Sequence, residues 1–333
     1  MRICVTGATG YIGRPLSGRL RSAGHEVRAV VRPESLAAGR ADGLREAGVL
    51  TFPGDIADRY SLREAMSGAD CVVHAAAELD LGVPAGRMER ANVQGSENVA
   101  SLAHKLGVGR FLSISSIAYF GGSPDDGSPG DEDSPVRRPL PTRYSSTKHA
   151  GALAIRAWAE RGLRVTTVYP SLVYGPPGKK EGANSLLRAL ALGRFPFLLG
   201  GDRISSWVFL ADLVDALERV IERAAPGRDY ILAGDAVSTR ELAARVEALG
   251  GAAAPRRELP LGLAALLLRL AGPTYRLRGR RPPIPVEQLR SLRRHWRFSD
   301  ARAQRELDWR PRGLDQGLPP TIAHLLSPRQ PAA

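Results

Sequence analysis

Tyr144 and Lys148 stand four residues apart, so a helix through them carries a phenol and an ammonium on one face. A phenol titrates near ~10 in water. An ammonium ~4 Å away, at an effective dielectric of about 20, favours the phenolate by up to ~4 kcal/mol, or ~3 pK units, and brings Tyr144 towards ~7. That is the useful range for a general acid or base. Ser115 and Ser116 close a β-rich run, Arg110–Ser115, and a hydroxyl there could orient a substrate oxygen towards Tyr144. Tyrosine and lysine at this spacing are also common on ordinary helices, so the pair alone does not separate chemistry from packing.

A second constellation lies at the start of the chain. Thr6-Gly7-Ala8-Thr9-Gly10-Tyr11-Ile12-Gly13 directly follows the apolar run Arg2–Val5. A helix that begins on such a turn brings backbone N–H groups against a pyrophosphate. Gly7 permits the tight turn, Gly10 the close approach and Gly13 the packing of helix on strand. The spacing is Gly-x-x-Gly-x-x-Gly rather than Gly-x-Gly-x-x-Gly, and a purely structural turn would read the same way. The next strand ends in Val30-Val31-Arg32, where a Rossmann fold places an acidic residue on the adenosine ribose of NAD. A guanidinium there suits a 2′-phosphate, so NADP(H) is favoured over NAD(H). Arg14 could assist or could be a solvated helix residue. Gly54-Asp55-Ile56 and His74-Ala75-Ala76-Ala77 each end a predicted strand. Asp55 could accept from the adenine amine, Ile56 could pack on the ring, and Ala75, Ala76 and Ala77 let backbone approach the cofactor. His74 has no ligand cluster around it, reads as structural, and no metal is expected.

These groups need a scaffold. Strands are predicted at Arg2–Thr6, Glu26–Val31, Val49–Pro53, Cys71–Ala75, Arg110–Ser115 and Arg164–Tyr169, alternating with helices at about Tyr11–Ala23, Ser61–Ser67, Arg87–Leu106 and Tyr144–Arg161. That alternation predicts an α/β fold, a doubly wound parallel Rossmann sheet with helices on both faces. Asn92 and Asn98 would brace strand ends or a water near Lys148, or be plain helix residues. Beyond Pro170 the elements shorten to Asn184–Leu192, Ser205–Phe209, Ala211–Glu222, Asp229–Leu232 and Thr239–Leu249. The expected division is a cofactor domain over 1–170, with segments of 205–233 returning to it. A smaller mixed substrate lobe over 171–327 and a flexible tail, 328–333, complete it. Gly121–Pro141 is a long Gly/Pro/Asp/Ser-rich loop, and loops of that length are usually functional.

The chain has 333 residues, is 43% hydrophobic and carries a net charge of +13. Its arginines are scattered, except for Tyr275-Arg276-Leu277-Arg278-Gly279-Arg280-Arg281 and the four that follow before Phe298. With no zinc spacing or RNA-binding motif, nucleic acid is not the expected partner. An anionic small-molecule substrate, a membrane surface or a solvated basic face all fit better. Two cysteines, Cys4 and Cys71, sit in strand-like runs and read as reduced core thiols. The glycine turn leaves no room for a signal peptide, and Leu259–Leu268 is too short to span a bilayer, so a cytoplasmic location is expected.

In this order the motifs resemble the extended short-chain dehydrogenase/reductases, the NAD-dependent epimerase/dehydratase family. Further matches are Asn92-Val93-Gln94-Gly95, Tyr169-Pro170, Val173-Tyr174-Gly175-Pro176, Val208–Ala216 and Ala301–Pro311. The look is nearest the 3β-hydroxysteroid dehydrogenase and dihydroflavonol reductase branch. The resemblance implies a catalytic Ser116, Tyr144 and Lys148, with Ser116 chosen because it lies five residues before Gly121. It also implies cofactor contacts at Gly7, Gly10, Tyr11, Ile12, Gly13, Tyr144, Lys148, Pro170 and Val173, and a homodimer formed through the helix that carries Tyr144. Ile117-Ala118-Tyr119-Phe120 departs from the family's pattern and is expected to reshape the substrate wall.

The implied activity is hydride transfer between NADP(H) and a carbonyl or secondary alcohol of a small, apolar substrate. Two alternatives remain open. One is a nucleotide-sugar epimerase or dehydratase with tightly bound NAD, its diphosphate held by Arg188, Arg194, Arg203 and the 276–281 cluster. The other is a non-catalytic NADP-binding regulator, which the intact triad speaks against. The loops Glu78–Met88, Ser171–Asn184 and Gly200–Trp207 are expected to line the substrate site. The Leu259–Leu270 helix could wall it, touch a membrane, or be a plain core helix.

Overall fold

The computed structural model describes residues 1–179, 181–278, 282 and 284–327. The tail 328–333 and the arginines Arg280 and Arg281 of the basic cluster lie outside the described residues. The described residues form ten strands: β1 (Arg2–Thr6), β2 (Glu26–Val31), β3 (Leu50–Pro53), β4 (Cys71–His74), β5 (Arg110–Ile114), β6 (Val165–Pro170), β7 (Leu172–Tyr174), β8 (Ile204–Phe209), β9 (Asp229–Leu232) and β10 (Ala236–Ser238). Seven build one sheet in the order β3-β2-β1-β4-β5-β6-β9, every neighbouring pair parallel. Their apolar runs are continuous rather than alternating because helices cover both faces. Ile3, Cys4 and Val5 are buried, as are Cys71, Val72 and Val73. Burial pushes both thiols up to about 12, so they pack as small apolar side chains and do not react.

One face is filled by Leu16 and Leu20 of the Gly13–Ser22 helix with Leu213 and Leu217 of the Leu210–Arg223 helix. The other holds Val99 and Ala103 of the Gly95–Lys105 helix and Ile155 of the Arg143–Ala159 helix. Thr6 pairs with both Val30 and His74, which aligns the carboxyl ends of β1, β2 and β4. The chain runs outward from β1 to β2 and β3, then restarts on its other side at β4. That reversal is the place where this kind of sheet takes its ligands.

The second lobe is a small sheet, β10-β8-β7, packed against the Asn184–Ala191, Thr239–Ala248 and Leu314–Leu326 helices. The predicted helix at Arg87–Leu106 is instead Ala85–Glu89, a π-turn over Arg90–Gln94, and Gly95–Lys105. A Cβ on Gly151 would come within 2.1 Å of the Asn92 carbonyl, so the π-turn and the Arg143–Ala159 helix touch backbone to backbone. Two short helices, Pro33–Ala37 and Asp42–Glu46, and strands β7 and β10 are too brief to leave a periodic signal. The Gly121–Pro141 loop is pinned rather than loose. Glu132 accepts from the Ile231 N–H of edge strand β9 at 2.9 Å, and Gly130 exchanges backbone bonds with Arg297 and Ser299.

Candidate active site

The glycine turn is made by leaving side chains out. Gly7 has φ of +73°, and a Cβ on it would lie 2.6 Å from the Ala76 nitrogen. A Cβ on Gly13 would lie 2.2 Å from the Gly7 carbonyl oxygen. Both positions are therefore closed by the protein itself. Gly10 differs: its N–H donates to the Gly7 carbonyl at 2.9 Å, and a Cβ would meet only that oxygen, at 3.1 Å. The space beside Gly10 is open to a ligand. No side chain caps the helix that follows, and its first turn holds no acid, so its N-terminal amides suit a pyrophosphate.

Arg32 follows β2 directly, with its side chain 47% exposed, and its Nε lies 3.4 Å from Glu34, itself exposed. No carboxylate stands within β2's last residues. Arg14 is turned elsewhere, donating to the Arg40 carbonyl at 2.6 Å. Asp55 accepts from the Ala57 N–H at 2.9 Å, which shapes the loop after β3. Ile56 packs into the notch left by Gly95, and Asn98 donates to its carbonyl at 2.9 Å. Ala75, Ala76 and Ala77 are half-buried after β4, with Ala75 N–H bound to the Thr6 carbonyl at 3.1 Å. Pro170 closes β6, and the Val173 carbonyl in β7 accepts from Ala183 at 2.8 Å.

Tyr11 carries a role that sequence alone does not assign. Its hydroxyl donates to the Gly175 carbonyl at 2.5 Å and accepts from the Asn184 amide at 3.1 Å. Asn184 is fully buried and also donates to Gly175 and Gly178 carbonyls, both at 2.7 Å, while accepting from the Gly175 N–H. The ring thus staples the cofactor turn to the 175–184 loop of the second lobe. A cofactor contact by Tyr11 falls to its backbone.

Thr142 caps the catalytic helix by accepting from the Ser145 N–H at 3.0 Å, and Tyr144 and Lys148 occupy its first turns. Lys148 Nζ donates to the Ile114 carbonyl at the end of β5, 3.0 Å away. Ser116 stands close enough to Tyr144 to act on its phenol, and its Oγ accepts from the Ala118 N–H at 3.2 Å. The three groups therefore meet at the carboxyl end of β5. Their charge states differ from the sequence expectation. Burial pushes Tyr144 up to about 12, Ser116 opposing it only partly, and burial draws Lys148 down to about 8. Desolvation dominates both groups, and the lysine's hydrogen bond goes to a backbone carbonyl rather than to the phenol. Tyr144 is thus held as a protonated acid.

Behind the triad runs a buried polar chain. Ser96 Oγ donates to the Asn92 carbonyl at 2.7 Å, so His74 Nε2 must donate to Ser96, and Nδ1 is left to accept from Thr6, 2.8 Å away. Burial, reinforced by Lys148, draws His74 down to about 3, and it stays neutral. Asn92 holds Glu78 by both its backbone groups and donates to Thr147 at 3.0 Å. Among the described residues no cluster of His, Cys, Asp or Glu could hold a metal.

Two further residues have no sequence signal. Arg143, directly before Tyr144, receives Glu287 at its N–H (2.9 Å) and its Nε (3.1 Å), and its other nitrogens donate to the Leu81 and Val83 carbonyls. This clamp joins the 78–84 loop, the helix that carries Tyr144 and the Val286–Ser291 helix. Tyr119 and Phe120, expected to reshape the substrate wall, are buried instead in an aromatic cluster with Tyr169 and Phe298, at centroid distances of 5.0–5.3 Å.

Comparison with known proteins agrees with this geometry. The family model of the NAD dependent epimerase/dehydratase family matches residues 3–233. A 4-hydroxy-2-methyl-3-oxo-4-farnesyl-3,4-dihydroquinoline-1-oxide ketoreductase of Stigmatella aurantiaca is 28% identical, over 93% of this chain and 92% of its own. A dTDP-glucose 4,6-dehydratase of Streptomyces griseus is 31% identical, over 96% and 93%. The crystal structure of gox2253 superposes with a TM-score of 0.82, at 28% identity and 97% coverage of both chains. The chain belongs to the NAD-dependent epimerase/dehydratase family and is an NAD(P)-binding oxidoreductase of the extended short-chain type.

Proposed function

We propose that this member of the family is an NADPH-dependent reductase that delivers a single hydride to a carbonyl of a small, apolar substrate. The observation that carries the cofactor preference is Arg32, an exposed guanidinium at the end of β2 where an acid would otherwise hold the ribose diol. Gly7, Gly10, Gly13, the backbone of Tyr11 and Ile12, Asp55, Ile56, Ala75–Ala77, Pro170, Val173 and Lys148 would hold the rest of the dinucleotide. The bound cofactor supplies the hydride.

The chain's own groups do the remainder. Ser116 orients the carbonyl oxygen, and Tyr144, kept protonated by burial, gives its hydroxyl proton to that oxygen as negative charge develops. Lys148 is charged below about 8 and favours the phenolate that Tyr144 leaves behind. Loss of water from a sugar would need a further acid–base group beside the serine. The residues after Ser116 are instead the buried Ile117, Ala118, Tyr119 and Phe120. That supports reduction over the dehydratase reading, as does the farnesylated ketone in the name of the Stigmatella relative. A cytoplasmic homodimer, paired through the Arg143–Ala159 helix, completes the proposal; Leu153 on that helix is 45% exposed.

The test is coenzyme preference in steady-state reduction of a panel of apolar ketones. Wild type is expected to favour NADPH over NADH by at least about tenfold, the worth of a charge-assisted bond. Arg32→Ala should erase the preference while leaving NADH turnover intact. A wild type indifferent to the 2′-phosphate would remove Arg32 from this role.

A further inference from the structure

The Leu261–Leu277 helix turns its leucines outward. Leu263, Leu266, Leu267, Leu270 and Leu277 are 45–87% exposed, whereas the small Ala264 is 4% exposed. At helical spacing the five leucines form one stripe about 100° wide, and Ala264 lies outside it, about 100° round the helix from Leu263. The reading as a plain core helix therefore fails. Arg269 and Arg278, both exposed, border the stripe on either side. Residues 259–299 contain nine arginines and one acid, Glu287, a net +8 within a chain of +13. Glu287 is already engaged by Arg143.

An apolar stripe edged by arginines in a basic segment limits what can cover it. A second copy would bring two such segments together and repel. A nucleic acid would answer the charge and leave the leucines in water. We propose that this helix docks in the plane of an anionic lipid bilayer, its leucines entering the acyl boundary while the arginines reach the head groups. It does not cross: among the described residues no helix is long and apolar enough to span a membrane, and Arg269 and Pro273 interrupt this one. The docked helix packs against the Val286–Ser291 helix, whose Glu287 holds the residue before Tyr144.

The experiment is flotation of the full chain with vesicles of phosphatidylcholine alone or mixed equally with phosphatidylglycerol. The protein should float with the anionic vesicles at low salt, stay off the neutral ones, and be weakened as salt screens the arginines. Leu266→Gln/Leu270→Gln, at exposed positions, should lower partitioning at least about tenfold, with melting temperature and NADPH affinity unchanged. Absence of flotation at low salt overturns the proposal. So does flotation untouched by the leucine variant, which would be charge adsorption alone. A variant that instead raises KM for apolar ketones, or changes the sedimenting mass, would assign the stripe to the substrate wall or to a second copy.

Discussion

The glycine turn and the catalytic end of the Arg143–Ala159 helix do their work by opposite means. The turn is built by subtraction: at Gly7 and Gly13 a single Cβ would collide with backbone, and the pyrophosphate space is what remains beside Gly10. The catalytic end is built by burial. Its phenol and ammonium are moved from their ordinary ranges by desolvation, and His74 behind them is kept neutral by burial and Lys148, with a chain of three hydrogen bonds fixing its tautomer. A local motif can specify the first. The second depends on partners scattered through the chain.

The contrast can be broken most severely at Tyr144. Tyr144→Phe removes the proton donor and should cut ketone reduction by about 10²–10⁴-fold, while NADPH affinity, measured by fluorescence titration, stays within a few-fold. A variant that loses cofactor and turnover together would mean the two regions are one unit.

The glycines separate next. Gly13→Ala pushes a Cβ against the Gly7 carbonyl and should cost about 1–3 kcal/mol of stability in chemical denaturation. Gly10→Ala, whose methyl would press only on the Gly7 carbonyl oxygen at 3.1 Å, should cost less stability than Gly13→Ala yet bind NADPH more weakly. Equal melting of the two variants would show that the turn is not closed by packing at Gly13.

The smallest expected effect is in pH. Lys148, drawn down to about 8, is charged below that value and neutral above it. Reductive kcat/KM should therefore be level on the acid side and fall towards a tenfold loss per unit above about 8. Tyr144 near 12 adds no limb in that range. A profile flat to pH 10 would take the ammonium out of the mechanism.

Legibility in the sequence follows the same division. β1, β2 and β9 match their predicted spans residue for residue, because apolar runs bounded by Gly or charged residues are local signals. The triad is reached through motif order, and the structure gathers Ser116, Tyr144 and Lys148 at one strand end. The protonation of Tyr144 was not legible, since it depends on desolvation by residues far apart in the chain. Nor were the Tyr11–Asn184 staple and the Arg143–Glu287 clamp, whose partners lie 173 and 144 positions apart and share no periodic pattern. The leucine helix shows a further limit. Its hydrophobicity was plain, but which side it buries is decided by the lobe it packs on.

The central claim is exchangeable NADPH serving one hydride transfer, and the nucleotide carried by the purified protein tests it most directly. Denatured enzyme should release little nucleotide, and the native enzyme should take up NADPH in preference to NADH. Release of stoichiometric NAD would contradict the account and make the chain an enzyme that moves hydride out and back.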